Sequence, residues 1–421
     1  MEKLVTVFTP VHRFEEKHLT DLYESLAAQS YKNFEWLILL NGDALRYVNT
    51  IASLFKDEKR ISLYKTDGTG SIGLLKSICC EYARGEYLVE VDYDDMLTPN
   101  ALEAIVNTLS LEKVQFVYSN SVEFTGNYSE GNSNTYSEVF GWKSAPFENH
   151  TQMVAFPPSA HYFRRIEFAP NHVRAFKKEG YNRVGGYDKS IAVGDDHDLV
   201  CRFYVEFGNA GFAHINECLY LYRVHPKNTC NGDNRNAEIQ AQVDVNYIKW
   251  AEKMYLKWAS DKNLLSIDLG GRFNCPEGYK SVDLRDADII MDLTGTWELE
   301  DNSVGVLRAY HILEHLPDTI HFFNEAYRVL APGGFLLIEV PHYLGQGGVS
   351  DPTHIKFFTE RSFGYYTKQD LAKYIQPQYV GRFQNIRQNT YSWGDGVTVI
   401  SCHMIALKGF YDDRWCGLKE M

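Results

Sequence analysis

Short apolar runs alternate with segments of helical periodicity from the first residues onward, and this alternation restricts the fold more than any other feature. Residues 4–9 and 34–40 read as buried strands, the first closed by Pro10 and the second stopped by Asn41-Gly42-Asp43. Between them, residues 17–28 carry apolar side chains at helical spacing. Helical 45–55, strand 61–64, the glycine-containing stretch 67–73, helical 74–83 and strand 87–91 continue the series. Strands joined through helices need right-handed crossovers, so an α/β architecture with a mostly parallel sheet is expected. Ligands of such sheets lie beyond the carboxyl ends of the strands, where Thr9, Asn41, Asp67 and Asp92 all fall.

Strand 87–91 runs straight into Asp92, Asp94 and Asp95. Residues i and i+2 of an extended segment point the same way, so Asp92 and Asp94 can face one ligand, and paired hard oxygens suit Mg²⁺ or Mn²⁺. The plainer alternative is a solvated turn in which Asp95 caps the helix after Pro99. A second acidic block, Asp195-Asp196-His197-Asp198, precedes another helical pattern, where acids commonly serve as caps and dipole partners. Arg164, Arg165, Arg174, Lys177 and Lys178 form a basic run, read either as a solvated face or as a cleft for a phosphate-bearing acceptor.

At 421 residues, with 44% hydrophobic and 23% charged residues, the chain has room for two or three domains with real cores. A net charge of −13 argues against a broad nucleic-acid-coating surface. Eight cysteines without a C-x-x-C pair, and no export-type N-terminus, point to a reduced, cytoplasmic setting. No apolar run has transmembrane length, so membrane contact is expected to be peripheral at most.

From 236 to 259 the helical pattern is long and free of Pro and Gly, which places a linking helix at 236–260 between domains 1–235 and 261–421. The second domain again alternates, with strands 264–269, 281–284, 304–309 and 335–340 and helix 320–330.

Four ordered blocks, TVFTPVHR, GEYLVEVDYDDMLTP, VGGYDKSIAVGDDHDLVCRF and YRVHPKN, make residues 4–225 resemble a family 2 glycosyltransferase of the GT-A fold. The resemblance implies a nucleotide-diphosphate sugar donor held by Mn²⁺ or Mg²⁺, and attack by an acceptor hydroxyl with inversion. It assigns Asp92 to nucleotide and metal, Asp94 as the principal metal carboxylate and His225 to the metal or diphosphate. Asp196 becomes the catalytic base with Asp195 in reserve, and Thr9, Pro10, Asn41, Asp67 and Lys76 line the donor site. An acidic pair usual before Gly42 is replaced by Leu40-Asn41, which bears on the nucleotide; UDP is favoured over GDP or dTDP.

Residues 264–345 resemble a class I S-adenosylmethionine-dependent methyltransferase of Rossmann type, on IDLGGRF, SVDL, RAYHILEHLPD and NEAYRVLAPGGFLLIEVPH. The resemblance implies cofactor contacts at Asp268, Gly270, Asp283 and His311, with His315 and His342 beside a methyl-transfer pocket that Glu314 and His354 also flank. Arg272, Phe273 and Asn274 stand where further glycines are usual. Methylation of the glycan product therefore competes with a cofactor-free scaffold for acceptor binding or homo-oligomerisation. The acceptor is left open between a glycan, a lipid-linked molecule and nucleic acid.

Overall fold

The computed structural model describes residues 2–66, 70–136, 138, 141–228, 235–394 and 396–409. The chain divides into two compact units, Met1–Met254 and Tyr255–Met421. Both are α/β, each built on a large sheet that is parallel on one side.

In the first unit, strand Val5–Val11 lies between Phe34–Leu40 and Tyr87–Glu90, parallel to both, with Ile61–Lys65 parallel at the outer edge. Helix Glu16–Ala27 turns Leu19, Leu22 and Leu26 inward, as its 3–4 residue apolar spacing requires. Beyond Tyr87–Glu90 the pattern breaks. Strand Arg174–Lys177 enters antiparallel between Tyr87–Glu90 and Phe116–Thr125, and its register sets Arg174 opposite Glu90. Strand Phe212–Val224 then runs parallel to Phe116–Thr125 and pairs antiparallel with Met96–Leu97, which brings the segment after Asp92 against the segment before His225.

Residues 45–55 do not form one helix. A 3₁₀ turn over Gly42–Tyr47 precedes helix Val48–Leu54. Gly42 has φ +54°, and a Cβ there would lie 2.2 Å from the His12 ring, so the sharp turn needs glycine.

Helix Asn236–Asp261 is continuous, and the division between the units falls within it. In the first unit Asn246 Nδ2 donates to Gly194 O (2.8 Å) and Trp250 Nε1 to Asp198 (2.8 Å), bracing the start of helix Asp195–Phe207. In the second unit Tyr255 stacks on Phe335 and Trp258 meets its edge.

The second sheet has the order Ile289–Ile290, Lys280–Asp283, Leu265–Leu269, Val304–Tyr310, Leu330–Pro341, all parallel, followed by Val397–Ala406 and Phe383–Gly394, both antiparallel to their neighbours. The last two strands were not read from sequence, because half of Phe383–Gly394 is solvent-facing and lacks a clear apolar alternation. Helix Thr319–Val329 is capped by Asp318 and buries Phe322, Phe323, Ala326 and Val329 on the sheet. Among the described residues, no helix is long and apolar enough to cross a membrane.

Candidate functional site

The first cleft is organised by a buried charge network beneath the strand-end acids. Glu90 is 1% exposed, and it accepts from Arg174 Nε (3.0 Å) and Nη2 (2.6 Å), from the Tyr187 hydroxyl, and pairs with Lys76 Nζ (2.9 Å). Burial alone would raise the Glu90 pKa, but the Arg174 and Lys76 charges outweigh it and hold the carboxylate well below its usual range. Lys76 also pairs with Asp195 (2.8 Å). Arg174 reaches further: Nη1 donates to Asp196 Oδ2 (3.0 Å) and to Asn171 Oδ1 (2.8 Å), and Nη2 lies 3.7 Å from Asp92 Oδ2. One guanidinium therefore ties Asp92 at the strand end to Asp196 at the helix start. Burial, helped by Glu90 and Asp94, pushes Asp92 above the usual carboxylate range against the pull of Arg174.

Asp195 and Asp196 are neighbours with different surroundings. Asp195 is buried against Lys76, while Asp196 keeps a side chain 17% exposed and, among the described residues, accepts from the His197 N–H (2.8 Å) and Arg174.

Asp94 Oδ2 lies 2.8 Å from His225 Nε2. His225 Nδ1 accepts the Lys227 N–H (3.1 Å), so Nε2 carries the proton and donates to Asp94. Adjacent ligands of a Mg²⁺ at its short metal–oxygen distance stand about 3 Å apart, so a cation in place of that proton keeps both atoms nearly where they are. The residues therefore fit a divalent cation. Asp95 is not a helix cap, since Asn100 precedes the helix. Asp95 is fully buried, accepting from the Tyr220 hydroxyl (2.8 Å) and the Arg223 N–H (2.7 Å), and so straps the acidic turn to strand Phe212–Val224.

Several expected donor contacts are used elsewhere. Thr9 is fully buried and its hydroxyl accepts from the Trp36 indole (3.0 Å), so its side chain packs the sheet. Asn41 is bonded to His12 Nδ1 (2.8 Å) and Val11 O (3.2 Å), holding the 12–13 loop. Lys76 is sealed between Glu90 and Asp195. Pro10 sits half-buried at the end of the central strand, and Asp67 lies outside the described residues. The basic run is in part used within the chain: Arg174 is buried, Lys177 Nζ binds Leu111 O and Glu112 O, and Lys178 Nζ binds Ala83 O, while Arg165 is exposed.

Glu90 carried no role in the sequence, and Arg174 stood there only as one member of the basic run, yet the two organise the site. Their signal was a charge inside an otherwise apolar strand in each case, Glu90 in YLVEV and Arg174 in HVRAF, which a buried sheet tolerates only when paired. His18 is a second omission. Its ring lies 5.1 Å from that of His225, its buried Nδ1 has no hydrogen-bond partner among the described residues, and burial and Arg223 lower its pKa.

In the second unit, Gly270 turns with φ +74°, and a Cβ on Gly271 would lie 2.5 Å from Asp268 Oδ2. Asp268 is buried beneath this turn and accepts from Arg308 Nη1 (2.8 Å), so it anchors the turn and does not face a ligand. Arg272 pairs with Asp286 (2.6 Å) and stacks on Phe273, which is 79% exposed. Asp283 closes strand Lys280–Asp283 half-buried, with Oδ1 accepting from Leu284 N–H (2.7 Å), a placement that fits ribose hydroxyls. His311 sits between Glu339 (3.2 Å) and Glu314 (3.4 Å); burial disfavours its charge, yet the two acids raise its pKa to about 9. His342 is turned to Glu360 (3.3 Å) and takes the Leu344 N–H, whereas His315 lies beside His354, ring centroids 4.8 Å apart.

The family model for Glycosyl transferase family 2 matches residues 6–168, and that for a Methyltransferase domain matches residues 271–338. The chain thus carries a family 2 glycosyltransferase domain followed by a methyltransferase domain, which makes it an enzyme of the glycosyltransferase class. It is similar to the glycosyltransferase GlyG of Streptococcus pneumoniae serotype 4, 24% identical over 64% of this chain and 84% of GlyG. It is also similar to the O-antigen biosynthesis glycosyltransferase WbnJ of Escherichia coli, 24% identical over 54% of this chain and 82% of WbnJ. Among solved structures, S. aureus TarS 1–349 in complex with UDP-GlcNAc aligns over 62% of this chain and 71% of its own, at 14% identity and a TM-score of 0.43.

Proposed function

We propose that the first unit moves a sugar from a nucleotide-diphosphate donor to an acceptor hydroxyl with inversion, using a divalent cation, and that the second unit methylates the product. The observation that carries the first part is the meeting of Asp94 Oδ2 and His225 Nε2 at 2.8 Å from positions 131 residues apart, next to Asp92. Mn²⁺ or Mg²⁺, when bound, supplies the charge that stabilises a departing diphosphate. Asp92 and Asp94 hold it from the strand end and His225 from the opposite segment. Asp196 accepts the proton of the attacking hydroxyl, because it is the member of the acidic pair left open, and Arg174 fixes its position. Asp195 and Lys76 act as positioning residues below it. Asn41, with both side-chain ends bonded within the chain, leaves recognition of the nucleotide base to other groups.

S-adenosylmethionine, when bound to the second unit, supplies the methyl group. Asp283 accepts its ribose hydroxyls, and the Gly270-Gly271 turn admits the backbone close to it. Arg174, Lys177 and Lys178 are bonded within the chain, which speaks against a phosphate-binding surface of the kind a nucleic-acid acceptor needs. The acceptor is accordingly a glycan or a glycan on a carrier.

The test is sugar transfer or donor hydrolysis with a panel of nucleotide sugars, with and without excess chelator. Activity is expected only with the cation, and Asp94→Ala is expected to lose donor binding and turnover together. Full activity in chelator overturns the metal-dependent reading.

A further inference from the structure

We propose that Glu314, His315 and His354 hold one divalent transition-metal ion in the second unit, in addition to the cation at Asp94 and His225. One ligand atom from each of the three residues lies within 4.8 Å of the others.

Glu314 is the strongest sign. It sits in the 3₁₀ turn Leu313–His315 just beyond strand Val304–Tyr310, is 1% exposed, and neither carboxylate oxygen has a hydrogen bond among the described residues. The cation that faces it is His311 Nδ1, at 3.4 Å. Buried carboxylates are paired, hydrogen-bonded or bound to metals, because removing the charge from water otherwise costs several kcal/mol. The Glu314 carbonyl is, by contrast, fully used: it accepts the N–H groups of Ile355 (2.9 Å) and Lys356 (3.1 Å), and this clasp brings the His354 segment to the turn.

The two histidines are oriented as ligands are. His315 Nδ1 faces Thr353 O (3.3 Å) and His354 Nδ1 faces Gly348 O (3.2 Å). A carbonyl only accepts, so each Nδ1 carries a proton. His315 Nδ1 also lies 3.1 Å from the Thr353 hydroxyl, which donates to Asp351, and Asp351 Oδ2 is 3.7 Å from His354 Nε2, whose lone pair, like that of His315, is available in the neutral ring. Such a backbone carbonyl behind the ring is the usual outer support of a metal-binding histidine. Ligand atoms of a tetrahedral zinc stand about 3.4 Å apart, so a small rotation of the side chains closes the set. Two imidazole nitrogens and one carboxylate oxygen suit Zn²⁺, Mn²⁺, Fe²⁺ or Co²⁺ better than the all-oxygen preference of Ca²⁺. Three protein ligands leave a position for water or for a substrate oxygen, and a sugar hydroxyl is the oxygen ligand that the product of the first unit would bring.

The proposal rests on the donor set and not on the binding of S-adenosylmethionine. Its test is metal analysis of the full-length chain after dialysis against Zn²⁺, together with the visible absorption of Co²⁺-loaded protein, in an Asp94→Ala background that silences the first unit. One equivalent and a Co²⁺ band with nitrogen ligands are expected in that background. Adding His354→Ala or Glu314→Gln is expected to weaken binding by more than the roughly 100-fold that loss of an outer support costs. Single His354→Ala in the wild-type chain is expected to keep sugar transfer and the melting temperature, which shows that it folds. Absence of metal in Asp94→Ala protein, or unchanged affinity in both added variants, overturns the site and leaves Glu314 as an ion-pair partner of His311. Two equivalents in Asp94→Ala that fall to one with His354→Ala count against the first-unit cation and for this one.

Discussion

Glu90 in the first unit and Glu314 in the second are both 1% exposed near the carboxyl end of a parallel strand, but their surroundings are opposite. Glu90 is enclosed by Arg174, Lys76 and Tyr187. Glu314 has no hydrogen bond to its carboxylate among the described residues and one histidine at 3.4 Å. A saturated buried charge makes a frame: it holds Arg174 still, and Arg174 holds Asp92 and Asp196. An unsaturated one, faced by His311 but without a hydrogen bond to its carboxylate among the described residues, is a socket that a charge from outside would complete. The difference separates a site organised before its ligands bind from one that its ligand completes.

The largest effect expected is on the frame's working edge. Asp196→Asn should keep donor and metal affinity and lose on the order of 10²- to 10⁴-fold in rate, as removal of a proton acceptor does, measured as kcat and KM for transfer. If Asp195→Asn is the crippling change and Asp196→Asn is mild, the open and the sealed acid have been assigned the wrong way round. Arg174→Met should come next, costing about 3–5 kcal/mol of first-unit stability because it leaves Glu90 buried beside a half-empty pair. Thermal or denaturant unfolding reads this, and a double variant with Glu90→Gln should recover part of the loss; no recovery would mean that the pair is not a coupled frame. In the second unit, Asp283→Ala should weaken S-adenosylmethionine by roughly 1.5–3 kcal/mol in calorimetry, the value of a charge-assisted hydrogen bond. No heat for the wild-type protein at millimolar cofactor would favour the scaffold reading.

The smallest expected effect is on pH. The folded Glu90 pKa is depressed, so its contribution to stability is present above the unfolded value, near 4.3, and is lost as pH falls below that toward the folded value. Stability of the first unit should fall by up to about 1.4 kcal/mol per pH unit for this group in that window. Arg174→Met should flatten the slope, and an unchanged slope would show that other acids govern acid unfolding.

Much of this was legible in the chain because it is written locally. Strand 34–40 was read with the bounds it has, and the acids of the first cleft stand where a strand runs out into Asp92 and Asp94. Which way a strand residue faces was less legible. Thr9 lies inside strand Val5–Val11, which runs on past Pro10, and the pleat turns its hydroxyl into the sheet toward Trp36; which face a given position takes depends on the neighbour strands. The basic run dissolved for a related reason: Arg174, Lys177 and Lys178 are close in sequence but border a strand and a helix start, and each is drawn to a different carbonyl or acid.

By itself the sequence determined the two α/β units, the strand-end acids, the acidic helix start and the glycine turn, since each depends on residues a few positions apart and on periodicities that one element carries alone. Only the tertiary structure decided that Arg174 stands opposite Glu90 across 84 residues, that His225 reaches Asp94, that Asp195 is sealed while Asp196 is open, and that Glu314 comes near His354 with no hydrogen bond to its carboxylate among the described residues. Those outcomes depend on the register of an antiparallel strand inserted into a parallel sheet and on which loop the Glu314 carbonyl clasps. Strand register and loop contacts follow from packing the whole sheet, and no stretch of chain shorter than the unit encodes them.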